Sequence, residues 1–432
     1  MYTSWDVYDS FEIWPSLNPW FENSRYISRG GIYPFLYSIQ SAVPTAPEGY
    51  DAQECQDQLQ SYENDDIPED QQVNLVFVMY EAFSDLSKYT DMITVADPYA
   101  VYHELQAESY TGELVTNIFA GGTINTERCV LTGFSELTNF RRQSWSYARY
   151  FADQGYVTEG SHAGYQAFYN RLNVNRNLGI DTYRFIENYY SDLFTGIPTD
   201  SQLLPEISRL CLEQIEAGEK VFSFNVTYQN HGPYETTLWD STKVYVPEGA
   251  VSEDDYGIIN NYLAGVEDTC HQMMAMVDTF RDVEEPVILV FFGDHKPWLG
   301  EYSSTYAALG IDINSQNDES FYNHYNTEYL IWANDAAKEL LDNDFVGTGP
   351  TISPCFLMNV LFEQCGWEGP SYMKLTNQVM EAMPVVTTND SFLVDGVLVT
   401  EASLSDANKA LLAQMRRTQF YLAQDAGGQL PE

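Results

Sequence analysis

The 432 residues carry 63 acidic and 20 basic side chains, a net charge of −43 at pH 7. A field of that sign excludes nucleic acid as a partner, because neutralising phosphates takes a basic stripe and the sequence has none. Hydrophobic residues make up 44% and aromatic residues 15%, which supports a large core and excludes a disordered chain.

The chain opens on SWDVYDSFEIWPSLNPWF, with no basic n-region and no apolar h-region, so it does not read as a signal peptide. Two readings of this aromatic segment stand. It packs on the domain, or it is a membrane-proximal connector whose anchor is missing, since Trp and Tyr favour the interface. GGIYPFLYSIQSA (30–42) is expected to be helical, and YENDDIPEDQQ reads as a solvated linker closing an N-terminal extension at about residue 70. The longest apolar runs, NLVFVMY (74–80) and VILVFF (287–292), fall far short of the roughly 18–20 residues that span a bilayer.

From 71 onward apolar strands alternate with amphipathic helices. Strands are expected at 74–80, 156–163, 221–228, 287–292 and 328–334. Helices are expected in SELTNFRRQSWSYARYFADQG, LLPEISRLCLEQIEAGEK and IINNYLAGVEDTCHQMMAMVDTFRD. Continuous apolar strands alternating with helices predict an α/β fold: a mostly parallel central sheet covered on both faces, over about 71–374. A small C-terminal α+β subdomain is expected from 375 to 432. SFLVDGVLV carries the Asp-Gly of a type I′ hairpin, and SLSDANKALLAQMRRTQFYLAQ reads as a last helix capped by Ser403 or Ser405. The six cysteines match no zinc spacing and are too few for a disulfide framework. Most are expected to be buried packing residues, with Cys355 and Cys365 able to pair outside the cell.

In open α/β sheets ligands bind beyond the carboxyl ends of the strands, so the residues there carry the functional weight. Glu81 follows the first strand, His231 the third, and Asp294 and His295 the fourth; His162 sits near the end of the second. Three of the six histidines thus fall at strand ends. Glu81, Asp294 and His295 suit a divalent cation, Mn²⁺ or Mg²⁺ better than a thiolate-loving metal, with Zn²⁺ also possible. In FAGGTINTERCVLTG two glycines precede Thr123 and a helical pattern follows. Thr123 is there either as a nucleophile whose hydroxyl a metal activates or as a plain N-cap, with Thr126 as its rival. Arg171 offers phosphate a bidentate fork.

NLVFVMYEAFSDL, GGTINTERCVLTG, GYVTEGSHAGYQAFYNRLNVNRNLGID, FNVTYQNHGPY, VFFGDHKPWLG and YNTEYLIWAN run in one order from 74 to 334. In this the chain resembles the extracellular catalytic domain of the lipoteichoic acid synthase-like phosphoglycerol transferases, in the sulfatase and alkaline phosphatase superfamily. The resemblance implies a single-metal site of Glu81, Thr123, Asp294 and His295, with Mn²⁺ the expected ion and Thr123 the nucleophile. It implies that His162, Tyr169, Arg171 and His231 hold the glycerol phosphate group, His231 also serving as base. Tyr169 stands where some members carry Trp, and Gly164 where some carry a polar residue. The Cys-x-Pro-x-Arg signature is absent, since Cys129 is followed by VLTG and Cys355 by FLMN, which argues against a formylglycine sulfatase. The resemblance further implies a phosphatidylglycerol-like anionic donor, a glycolipid or polymer acceptor, and a place on the outer face of a bacterial membrane through an N-terminal anchor.

Overall fold

The apolar, β-branched and aromatic residues of NLVFVMY favour a pleated, fully covered strand, and β1 (Asn74–Tyr80) is buried along its whole length. Its side chains alternate between two cores: Leu75, Phe77 and Met79 face one, Val76, Val78 and Tyr80 the other. Seven more strands join it in the computed structural model, which describes residues 44–431: β2 (Tyr110–Val115), β3 (Val157–His162), β4 (Thr182–Arg184), β5 (Val221–Val226), β6 (Val287–Gly293), β7 (Asn326–Ala333) and β8 (Gly347–Ile352). Their order is β4-β3-β5-β1-β6-β7-β2-β8. The run from β4 to β6 is parallel, β7 is antiparallel to both its neighbours, and β8 is parallel to β2. The aromatic opening and the helix expected at 30–42 lie outside the described residues.

The five expected strands are present. β2, β4 and β8 had weak signals: β4 has three residues, and β8 reads GTGPTI, with a proline that only an edge strand tolerates. The helices Asp200–Glu216 and Glu253–Arg281 cover one face of the sheet. Tyr147–Asp153, Leu357–Cys365, Ser371–Ala382 and Asp406–Gln424 cover the other. The helix Ala52–Gln60, capped by the Asp51 side chain, adds Cys55 and Leu59 to that second core.

The stretch 135–155 was expected to be helical throughout, but only Tyr147–Asp153 is. The preceding residues are captured by the C-terminal helix instead. Ser135 donates to Gln419 Oε1, Ser144 Oγ to the Ala423 carbonyl, and the Trp145 N–H to the Leu422 carbonyl. Ser146 then caps the shortened helix through the Arg149 N–H. At the C-terminus β9 (Val385–Val386), β10 (Phe392–Val394) and β11 (Val397–Val399) form a small antiparallel sheet. Asp395 and Gly396 both have positive φ, as a type I′ turn requires, and Ser405 rather than Ser403 caps the last helix.

All six cysteines are buried and free. Cys355 and Cys365 do not pair: the helix between them holds them roughly 15 Å apart at 1.5 Å per residue, beyond the reach of a disulfide. Among the described residues, no helix is long and apolar enough to cross a membrane.

Candidate active site

Strand register brings the functional side chains level. His162 pairs with Val226, Val226 with Met79, and Tyr80 with Gly293. The carboxyl ends of β3, β5, β1 and β6 therefore finish along one line. Glu81, His162 and Asp294–His295 lie on it, at the floor of a cleft of about 700 Å³.

Glu81, Asp294 and His295 are all buried, with ligand atoms within 4.8 Å of one another. Asp294 Oδ1 accepts the N–H groups of Ala82 and His295 at 2.8 and 2.7 Å, so this carboxylate is fixed by backbone. Its Oδ2 has no partner, lies 3.2 Å from His295 Nε2, and that nitrogen also lacks a partner. His295 Nδ1 lies 2.9 Å from the Lys296 carbonyl, which only accepts, so in the neutral ring Nδ1 donates and Nε2 presents a lone pair. Two lone-pair atoms facing each other in a dry site repel unless a cation lies between them. The donor set of oxygen and imidazole fits one divalent ion. Burial, and then the Asp294 charge, push the Glu81 carboxyl well above its ordinary range, and the Arg171 charge offsets only part of this.

Gly122, at φ +89, turns the chain into the helix Ile124–Thr132. Thr123 occupies the cap position, yet its hydroxyl makes no capping bond. It lies 3.5 Å from Glu81 Oε2 instead. Thr126 is turned away from the cluster, donating at 2.7 Å to the Asp294 carbonyl.

Arg171 is 1% exposed and bonds Glu127 Oε2 through Nε at 2.9 Å and Nη2 at 2.8 Å. Burial alone pulls its pKa down, but the Glu127 carboxylate outweighs that and holds it up. Nη1 is buried without a partner, and Arg171 lines the cleft. Arg171→Met is expected to cost about 3–5 kcal/mol, because it strands Glu127 uncompensated. Adding Glu127→Met should recover most of that; urea unfolding of the three variants checks it.

Burial, with the Arg171 charge behind it, holds His162 well below its ordinary range, so the ring is neutral. Its Nδ1 faces the Val226 carbonyl at 3.3 Å, and its Nε2 is unpaired. A Cβ on Gly164 would lie 2.5 Å from that Nε2, so any polar side chain there would displace the imidazole. The Tyr169 ring lies 5.4 Å from the Arg171 guanidinium carbon, a cation–π contact, and holds φ +55.

His231 is exposed at the cleft wall, stacked on Tyr228 with centroids 4.9 Å apart and planes within 3°. Its Nδ1 lies 2.6 Å from the Gly232 carbonyl. The loop behind it is pinned by buried hydrogen bonds. Asn230 Nδ2 donates to Thr269 Oγ1 at 3.0 Å, Thr269 donates to Asp200 Oδ2 at 2.6 Å, and the Asp200 N–H donates to Gln229 Oε1 at 2.8 Å. Burial pushes Asp200 up to about 7. A carboxyl raised on folding stabilises below its unfolded pKa and loses that contribution as pH rises through 7. Asp200→Asn is expected to remove that loss, about 3 kcal/mol between pH 5 and pH 8, as read from urea midpoints.

The cleft thus collects Glu81, Thr123, His162, Tyr169, Arg171, His231 and His295, with Asp294 just beneath. Glu127 was missed in the sequence. Its signal was an adjacent Glu-Arg pair inside a short helix whose other residues from 126 to 132 are also buried.

The protein family described as Sulfatase matches residues 73–356. The chain belongs to the sulfatase family. A relative from Rhizobium meliloti (strain 1021), named as a candidate cyclic beta-1,2-glucan modification protein, is 28% identical over 400 residues. The match covers 88% of this chain and 58% of that relative, so the chain spans less than two thirds of its length. This sulfatase-family chain also folds like the Streptococcus pyogenes phosphoglycerol transferase GacH in complex with sn-glycerol-1-phosphate. The TM-score is 0.68 at 19% identity, over 88% of this chain and 95% of that one. The lipoteichoic acid synthase LtaP from Listeria monocytogenes gives 0.57 at 16%, over 88% and 99%.

Proposed function

We propose that the protein transfers glycerol phosphate from a phosphatidylglycerol-like donor to a hydroxyl of a cell-surface glycan or glycolipid, through a phosphothreonine at Thr123. One observation carries this: the Thr123 hydroxyl leaves its own helix uncapped and turns to Glu81 of the acid–imidazole cluster, in a cleft that Arg171, with its unpaired Nη1, also lines. Family membership and the likeness to two phosphoglycerol-handling proteins support the same reading.

Glu81, Asp294 and His295, with Thr123, would hold one divalent ion, Mn²⁺ by preference; when bound it lowers the pKa of the threonine hydroxyl and offsets phosphate charge. Thr123 Oγ1, its proton given up to solvent, attacks phosphorus, the P–O bond to diacylglycerol breaks, and a phosphothreonine diester forms, from which Thr123 later departs as the alkoxide. Arg171 Nη1 and the backbone N–H groups at the start of Ile124–Thr132 hold the phosphate oxygens. Neutral His162 Nε2 accepts a hydrogen bond from the glycerol moiety. His231 Nε2 gives a proton to the departing oxygen, then takes one from the acceptor hydroxyl as it displaces Thr123. The −43 charge repels an anionic headgroup, so the buried cation and Arg171 dominate donor binding. Such an enzyme works where its lipid donor is, on the outer face of a bacterial membrane.

The test is incubation with labelled phosphatidylglycerol and Mn²⁺, then mass spectrometry of the peptide containing Thr123. A glycerol phosphate adduct on Thr123 is expected. Donor cleavage with no adduct in rapid-quench samples sinks the mechanism, and free glycerol phosphate as the sole product with acceptor present makes the enzyme a phosphodiesterase.

A further inference from the structure

Two alanines stand where glycine is the usual residue. Ala82, which follows Glu81, holds φ +51, and Ala120, three residues before Thr123, holds φ +56. Both are tied to one segment, 294–296. The Ala82 N–H donates to Asp294 Oδ1 at 2.8 Å, and the Ala120 N–H donates to the Lys296 carbonyl at 3.2 Å. That carbonyl also faces His295 Nδ1 at 2.9 Å. The loops of Glu81 and Thr123 are thus fastened to the loop that carries Asp294 and His295.

The Lys296 side chain adds a further tie and has no part in the chemistry of Thr123. It is 1% exposed, a costly place for an ammonium. Nζ donates to Ser84 Oγ at 2.9 Å and lies 3.9 Å from the centroid of the Tyr89 ring. Ser84 lies beyond Ala82 on the Glu81 loop, where the two loops meet backbone to backbone: a Cβ on Gly293 would lie 2.1 Å from the Phe83 carbonyl oxygen. Glu328, the buried carboxylate on β7, has partners of its own. Its Oε2 accepts the Asp85 N–H at 3.1 Å, and its Oε1 lies 3.1 Å from Lys88 Nζ. Loss of the Lys296 charge therefore leaves Glu328 paired. A positive charge this near a cation site works against cation binding through its field, so what Lys296 gives the site is its bond.

Resting on the reading that Glu81, Asp294 and His295 hold a divalent ion, we infer that Lys296 is a positioning residue: its ammonium locks the Glu81 loop onto the Asp294–His295 loop through Ser84, so that the ligands meet the ion already in register. Bonds of this kind, one step out from the ligands, commonly carry about 10–100-fold in metal affinity.

The probe is Mn²⁺ alone, titrated calorimetrically into the metal-free protein at pH 7, with no turnover required. Lys296→Met, which keeps the length and loses the ammonium, should raise Kd for Mn²⁺ about 10–100-fold. Ser84→Ala keeps the charge and loses the acceptor, and should raise Kd by about fivefold or more. Amide exchange across 81–86 in the metal-free protein should quicken in both variants, while circular dichroism confirms that they fold. A lysine acting only through its field gives the opposite pattern: Lys296→Met tightens Mn²⁺ binding and Ser84→Ala leaves it alone, which overturns the inference. A lysine that merely fills space lowers the melting temperature with both Kd values unchanged, and that overturns it too. Should Lys296→Met fail to fold, the Kd of Ser84→Ala decides, and an unchanged value sinks the clamp. Wild-type protein that takes up no Mn²⁺ rejects the ion reading separately. Exchange across 81–86 then judges the clamp on its own, since equal rates in wild type and both variants refute it.

Discussion

Thr123→Ala is expected to lower turnover of phosphatidylglycerol by about 10⁴-fold or more and to abolish the covalent adduct, with little change in thermal stability. The stability side follows from geometry. The Thr123 hydroxyl makes no capping bond, so its removal orphans no helix N–H. Thr126→Ala gives the opposite pattern. Its buried hydroxyl donates to the Asp294 carbonyl, so its loss is expected to cost about 1–3 kcal/mol while turnover stays within tenfold. The pair decides between the two threonines that the sequence left open. Measured turnover and melting temperature for both variants are sufficient, and a Thr123→Ala enzyme keeping a tenth of wild-type activity sinks the assignment.

The central sheet was legible because β1 and β6 carry near-continuous apolar runs, and β5 and β7 apolar-rich ones, as doubly covered strands do. The candidate site was legible for the same reason: with β1, β5 and β6 parallel, Glu81, His231 and Asp294 follow strand ends on one rim. The sequence hid what depends on contacts distant along the chain. Residues 135–146 have a helical pattern, yet hydrogen bonds to a helix nearly 300 residues away outcompete it. Lys296 gave no signal either. It is buried, donates to Ser84 Oγ at 2.9 Å, and burial pushes its pKa down to about 8. Glu328, which lies on β7, faces this ammonium through a chain fold that no local pattern records. The Arg171–Glu127 pair is intermediate: each residue was visible, and their partnership was not.

Removing the divalent ion is expected to abolish turnover and to change stability in a pH-dependent way that identifies the ligands. In the metal-free protein, burial and Asp294 raise the Glu81 carboxyl well above its ordinary value of 4.5. The folded state then holds a proton that the unfolded chain releases, so this group's contribution to stability is greatest below about pH 4.5 and is lost as pH rises through the raised value. A bound cation reverses this by favouring the charged carboxylate, and binding releases the proton. Mn²⁺ at 100 times its Kd should stabilise by about 2.7 kcal/mol at pH 7.5, and by clearly less at pH 5, where Kd is weaker at the same ion concentration. Asp294→Ala should erase the shift at both pH values, because it removes the unpaired Oδ2 that faces His295 Nε2. Thermal unfolding with chelator and with Mn²⁺, at pH 5 and 7.5, for wild type and Asp294→Ala, carries the test. Equal Mn²⁺ shifts at the two pH values, or a shift that survives Asp294→Ala, would place the ion elsewhere and leave Thr123 without its activating group.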